Sequence, residues 1–192
     1  MNYENIQNGL QAAFLDKNTS SNIMYRPQFV SNDYKNGKKV LSIIEDELLH
    51  CDSFMISVAF ITMGGITPLL QTLKTLKEKN IKGRILTTDY LTFSDPKALD
   101  KLASFPNIEL KMYVVPDSMN GFHTKGYIFQ KGEIYKILVG SSNMTNTALT
   151  ANREWNAKIV STKNGEFANE MIDEFEELWN SPYTYPYYEF ID

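Results

Sequence analysis

Of the two histidines in this 192-residue chain, His123 is the one with chemistry around it. It stands two residues before Lys125, where a loop leads into a strand-like run, and side chains two apart on a strand share a face. Gly140, Ser141, Ser142 and Asn143 follow the second strand of what reads as a hairpin, and Glu154 comes eleven residues after Asn143. Hairpin pairing carries the Gly140 loop toward His123. An imidazole, an ammonium, a hydroxyl, an amide and a carboxylate can therefore converge, and that set suits a phosphodiester. The imidazole can attack phosphorus, while Lys125 and Asn143 can hold non-bridging oxygens and stabilise developing charge. Glu154 can orient the imidazole and favour its cationic form. Each piece alone is weak, since a Gly-Ser-Ser-Asn stretch is ordinarily just a turn. Order and spacing together carry the reading.

Positioning such groups requires a sheet. Ile6, Leu10, Phe14 and Leu15 suggest a short N-terminal helix, residues 19–37 read as loop, and Leu41, Ile44 and Leu48 recur at helical spacing. Residues 54–60 form a short apolar run suited to a strand buried on both faces. A helix with Leu69, Leu73 and Leu76 inside and lysines outside follows Gly64 and Gly65. Residues 83–88 and 108–115 give two more strands, with Ser94 and Asp95 placed to cap a helix at Pro96. This β-α-β-α-β order predicts a parallel core with right-handed crossovers. A hairpin over 125–129 and 134–139, a strand at 157–160 and an amphipathic helix over 166–179 complete the pattern. The predicted class is α/β: a mixed, mainly parallel sheet with helices on both faces. One domain is expected over 1–180, with an aromatic-acidic tail, 181–192, that could begin a linker.

The composition, 43% apolar and 22% charged, excludes a disordered chain. Cys51 is the lone cysteine, so an intrachain disulfide is impossible, and a zinc site would need carboxylates for which no spacing exists. No metal and no cofactor is expected. Residues 1–16 lack a basic, then apolar, leader pattern, and the longest apolar run is far too short to span a bilayer. A soluble, cytoplasmic chain is expected. The net charge of −4 is uneven: residues 166–192 carry eight acids and no Lys or Arg, leaving 19 basic against 15 acidic groups, a net of +4, in the rest. Lys35, Lys38, Lys39, Lys74, Lys77, Lys79 and Lys82 could follow a phosphate backbone, although the helical ones suit a solvated outer face. Trp155 is expected in the core, where it helps fix Glu154, and Cys51 as a small buried hydrophobe; Tyr183, Tyr185, Tyr187 and Tyr188 could stack on bases, but packing on the domain or on a dimer partner is expected of them.

The series His123-Thr124-Lys125, hairpin, Gly140-Ser141-Ser142-Asn143, then Glu154 resembles the single-motif half of the phospholipase D superfamily in order and spacing. It is most similar to the bacterial nuclease branch, which includes the phospholipase-D-type restriction endonuclease. It is also similar to the N-terminal module of some helicase-like, restriction-associated proteins, which would make the chain one domain of a longer protein. The resemblance implies the phospholipase D-like α-β-α sandwich. It further implies catalysis by two histidines, one attacking phosphorus to form a phosphohistidine and the other protonating the leaving oxygen. His50 is followed by Cys51 and Asp52 and cannot be the second. A homodimer is therefore expected, with His123 of each chain meeting at a two-fold axis. Lys125 and Asn143 would bind phosphate, Ser141 would add a hydrogen bond, and Glu154 would orient His123. The family often has an acid five positions after the lysine; Gln130 stands there, and Glu154 is expected to supply the charge instead.

The resulting expectation is a metal-independent endonuclease acting on nucleic acid, DNA before RNA, with little base specificity of its own. Two alternatives stand beside it: a non-catalytic binding module of a larger helicase or restriction protein, and a phosphodiesterase on lipid or small diesters.

Overall fold

A computed structural model describes residues 27–89, 93–116, 121–163 and 165–191. The N-terminal helix expected around residues 6–15 lies outside them. The described residues build an eight-stranded sheet: β1 Gln28–Val30, β2 Ser53–Val58, β3 Lys82–Thr88, β4 Ile108–Tyr113, β5 Lys125–Lys131, β6 Ile134–Gly140, β7 Asn156–Thr162 and β8 Thr184–Pro186. Their spatial order is β1-β7-β6-β5-β2-β3-β4-β8. β2, β3 and β4 are parallel, as the β-α-β-α-β pattern predicts, and the other five adjacencies are antiparallel. The sheet is mixed and covered on both faces, but its parallel part is the β2-β3-β4 block toward one edge and not most of it.

Alternation along β2 sorts the two cores. Phe54, Ile56 and Val58 point to the face covered by α1 (Val40–His50), α2 (Met63–Ile66), α3 (Leu70–Glu78), α4 (Pro96–Ala103) and α5 (Asn146–Thr150). Met55 points to the other face, with Leu86, Ile128 and Ile137, under α6 (Glu166–Trp179). α6 buries Phe175 and Trp179. Arg84 lies over both rings and pairs bidentately with Glu176, while the Lys111 ammonium donates to the Trp179 carbonyl. Asp95 caps α4 through the Lys97 N–H, with Pro96 in the first turn, as its sequence position predicts. Cys51 is buried, and burial pushes its thiol up to about 11.

Beneath the first face lies a buried ion cluster. The Glu47 carboxylate, 3% exposed, receives Lys136 at 2.8 Å from β6 and Lys158 from β7. It ties α1 to two strands, and each charge depends on the others for solvation.

Two expectations change. Within the segment read as loop, residues 28–30 extend the sheet by pairing with 156–158. The segment read as a tail that could begin a linker adds β8 to the β4 edge, and α7 (Tyr187–Phe190) follows it. Tyr187 is buried and donates to Asp100 at 2.7 Å, so these aromatics belong to the domain. Three-residue strands are too short for an alternating pattern to announce them.

Candidate active site

Register places the predicted residues at one end of four neighbouring strands. Lys125 opens β5 opposite Val58, the last residue of β2. Gly140 closes β6 opposite Asn156, which opens β7. The carboxyl ends of the parallel strands β2 and β3 lie at that same end, where open α/β sheets commonly form their clefts. His123, Ser141, Asn143 and Glu154 sit in the loops leaving it.

The Gly140 loop is fixed from below. A Cβ on Gly140 would lie 2.2 Å from the Trp155 carbonyl oxygen, so only glycine lets β6 and β7 approach this closely. Ser142 is buried, with Asn156 donating to its hydroxyl at 2.9 Å and Tyr127 donating to its carbonyl at 3.0 Å. Met144 exchanges backbone bonds with Phe60 and Thr62. Gly65 permits the approach of α2, since a Cβ there would meet the Met144 oxygen at 2.0 Å.

On this support, exposed His123 presents Nδ1 to the Lys125 ammonium at 2.7 Å, and the same ammonium donates to the His123 carbonyl at 2.8 Å. A charged lysine has only donors, so Nδ1 is the acceptor in this contact. Phe60 packs against the imidazole with ring centroids 5.9 Å apart. Half-buried Lys125 has its ammonium pulled below the ordinary lysine range by burial, while the charge of Glu154 acts the other way. Asn143 accepts the Phe60 N–H through Oδ1 at 3.1 Å, which aims its Nδ2 donor elsewhere; among the described residues that nitrogen has no partner. Glu154, 9% exposed, accepts the Ser141 hydroxyl, and Ser141 Oγ in turn accepts the Trp155 N–H at 3.0 Å. Tyr127, fully buried and near Glu154, has its phenol pushed far above the usual range by burial.

The arrangement departs from the sequence expectation in detail. Glu154 is bonded to Ser141, and the hydrogen-bonding neighbour of the His123 ring is Lys125. Trp155 is 73% exposed, because extended backbone that turns Glu154 inward turns its successor outward. His50, at the end of α1, bonds to Asp46 at the opposite end of the sheet. Gln130 is also there, with Ser53 donating to its Oε1 at 3.1 Å. Five residues of strand, about 17 Å, separate it from Lys125. Lys79 and Lys82 crowd the same far end, away from His123. Phe60, Thr124 and Tyr127 were not singled out by sequence. Thr124 shares a 2.6 Å bond with Ser57, and its position between His123 and Lys125 was the available signal. Among the described residues, no group of three or more His, Cys, Asp or Glu side chains is placed to hold a metal ion, and no helix is long and apolar enough to cross a membrane.

A family model described as "Cardiolipin synthase, PLD-like domain" matches residues 50–179, which include all five of these residues. No curated protein matches the chain. Among solved structures, NucT from Helicobacter pylori superposes with a TM-score of 0.63 at 16% identity, covering 81% of this chain and 96% of that one. Nuc from Salmonella typhimurium, a phospholipase D family member, gives 0.60 at 16% identity, covering 84% and 99%. Phosphatidylserine synthase from Haemophilus influenzae gives 0.60 at 15% identity, covering 84% of this chain and 39% of that one. At these identities the likeness is one of fold.

Proposed function

Because the chain belongs to the cardiolipin synthase, PLD-like domain family, we propose that it is a phosphodiester hydrolase whose nucleophile is His123, and that its substrate is nucleic acid, DNA before RNA. The observation that carries the reading is the gathering of His123, Lys125, Asn143 and the Ser141–Glu154 pair at one end of the sheet. The preference for a nuclease over a lipid enzyme is supported by the likeness in fold to NucT and Nuc, which this chain matches over 96% and 99% of their length, against 39% for the phosphatidylserine synthase.

In this mechanism a substrate phosphate takes the place of His123 Nδ1 as the acceptor for Lys125. Non-bridging oxygens then rest on Lys125 Nζ and Asn143 Nδ2, the donors free to turn to them. The imidazole nitrogen attacks phosphorus, the P–O bond to the leaving nucleoside breaks, and a second imidazole delivers its proton to that oxygen. Water then attacks the P–N bond, losing its proton to the same second imidazole, and His123 is released. The second imidazole is His123 of another copy, related by a two-fold axis, since His50 lies at the wrong end of the sheet. Glu154 acts through Ser141, which holds the loop, and through its charge, which keeps Lys125 protonated.

The test is to quench turnover of DNA in alkali, where a phosphoramidate at imidazole survives, and to map the adduct by mass spectrometry. A nucleotidyl group on the His123 peptide, joined through phosphorus to the ring nitrogen and still esterified to the retained strand, is expected, and it is absent from His123→Ala. Turnover with no adduct on that peptide overturns the assignment. A panel of DNA, RNA, phospholipid vesicles and an aryl phosphodiester, each with His123→Ala in parallel, sorts the substrate class.

A further inference from the structure

Immediately beside the Ser141–Glu154 pair, the surface carries a second, unassigned feature. Trp155 is 73% exposed and meets Phe29, 71% exposed, edge to face at 6.0 Å. Tyr34, 97% exposed, stands on the turn between Asp33 and Lys38, whose backbones pair at 2.8 and 3.0 Å. Together with Lys35, Lys38 and Arg153 these residues line an open groove of about 730 Å³. The groove is held in shape. Asn32 donates to the Ala148 and Asn152 carbonyls at 2.9 and 2.7 Å and accepts the Val40 N–H at 2.9 Å, so the loop bearing Tyr34 is stitched to the segment bearing Arg153.

Its chemistry is specific. The lining acid, Asp33, is occupied by the Asn36 amide and by two backbone N–H groups of its own turn. Among the described residues Lys35 and Arg153 have no ion-pair partner. Three cations are thus interleaved with three exposed rings. Cations alone would suit a duplex backbone, but exposed rings gain contact only with bases that are out of their stack. Solvent exposure of three large rings is also costly unless something covers them.

From this we propose that the groove is a binding site for single-stranded nucleic acid, with bases stacking on Trp155 and Tyr34 and phosphates on Lys35, Lys38 and Arg153. It feeds the strand to the adjoining site, and in that respect rests on the hydrolase reading, although binding itself does not. Substrate specificity then lies outside the catalytic residues: unpaired strands are bound in preference to duplex.

The chain contains two tryptophans, and Trp179 is buried, so the fluorescence of Trp155 reports the groove directly. Fluorescein-labelled oligothymidylate is titrated into His123→Ala protein, which removes turnover, and into the same protein carrying Trp155→Phe, Trp155→Ala, or Lys35→Ala with Lys38→Ala; affinity is read from the anisotropy of the label in every chain, and Trp155 fluorescence is followed in those that keep it. Quenching of the exposed tryptophan is expected. Trp155→Ala should weaken binding about tenfold, Trp155→Phe should restore most of it, and the double lysine change should flatten the salt dependence. Blunt duplex of the same length should bind more weakly and respond little to Trp155→Ala. In the active chain, Trp155→Ala should raise KM on the oligonucleotide and leave hydrolysis of an aryl phosphodiester unchanged. Unchanged oligonucleotide affinity in Trp155→Ala, or a dimer that Trp155→Ala splits into monomers, would overturn the proposal, the latter by giving the rings to a second copy. Binding with quenching but no hydrolysis of any diester would keep the groove and remove the hydrolase reading.

Discussion

The Lys125 ammonium lies 2.7 Å from His123 Nδ1 and 2.8 Å from the His123 carbonyl, so the cation proposed to hold the substrate phosphate is parked on the proposed nucleophile. His123 stands in the loop two residues before Lys125 opens β5, and the Ala59 N–H bond to the Thr124 carbonyl at 3.1 Å holds that loop against the end of β2. In the proposed mechanism, phosphate arrival moves the lysine off the ring and frees Nδ1 in the same event.

This geometry sets a pH response. In the proposed mechanism the charged form of Lys125 binds phosphate, and burial pulls its pKa below the ordinary lysine range. Activity is therefore full while Lys125 is protonated and falls as pH rises through its lowered pKa, before an ordinary lysine would titrate. Glu154→Gln removes the charge that holds Lys125 up, so the alkaline limb should move to lower pH. Lys125→Met should cost about 10²–10³ in kcat. A pH–rate profile of the three chains checks this, and an alkaline limb unmoved in Glu154→Gln would break the link between the two residues.

Gln130, the residue that departs from the family pattern, is bonded to Ser53 about 17 Å along the strand from Lys125. Gln130→Ala should leave kcat unchanged and cost about 1 kcal/mol of stability through the lost hydrogen bonds. Gln130→Asp should not raise activity. Steady-state rates and urea midpoints separate the two effects.

A site completed by a second copy has a quantitative signature. If wild-type and His123→Ala chains are refolded together in equal amounts, a site needing both imidazoles keeps about one quarter of the activity, against about one half for independent sites. The dependence on the mixing fraction, quadratic or linear, decides.

The buried Glu47 cluster predicts where stability resides. Glu47→Gln leaves Lys136 and Lys158 against a neutral partner and should cost about 3 kcal/mol. The same change should leave the kinetics of the folded enzyme intact, because α1 touches the sheet away from the His123 loop. Urea denaturation read beside kcat tests both halves.

Much of this site was legible in the sequence because the relevant period is short. Strand alternation linked His123 to Lys125, and the hairpin carried Gly140–Asn143 to them, so local rules sufficed. What stayed hidden was set by tertiary register. β8 and β1 are three-residue strands with no pattern of their own. Trp155 was read as core from its residue type, yet the inward turn of Glu154 forces it out. That Glu154 binds Ser141, and not the imidazole, depends on where the chain passes after β6, which spacing does not encode. The remoteness of Gln130, by contrast, follows from counting strand residues.

The most direct test of the account is cleavage of plasmid DNA in excess EDTA by the wild-type chain and by His123→Ala, purified in parallel and shown to be folded. The account predicts nicking or linearisation by wild type across mildly acidic to neutral pH and none by His123→Ala. Equal cleavage by both proteins, or activity that appears only when a divalent metal is restored, would contradict it.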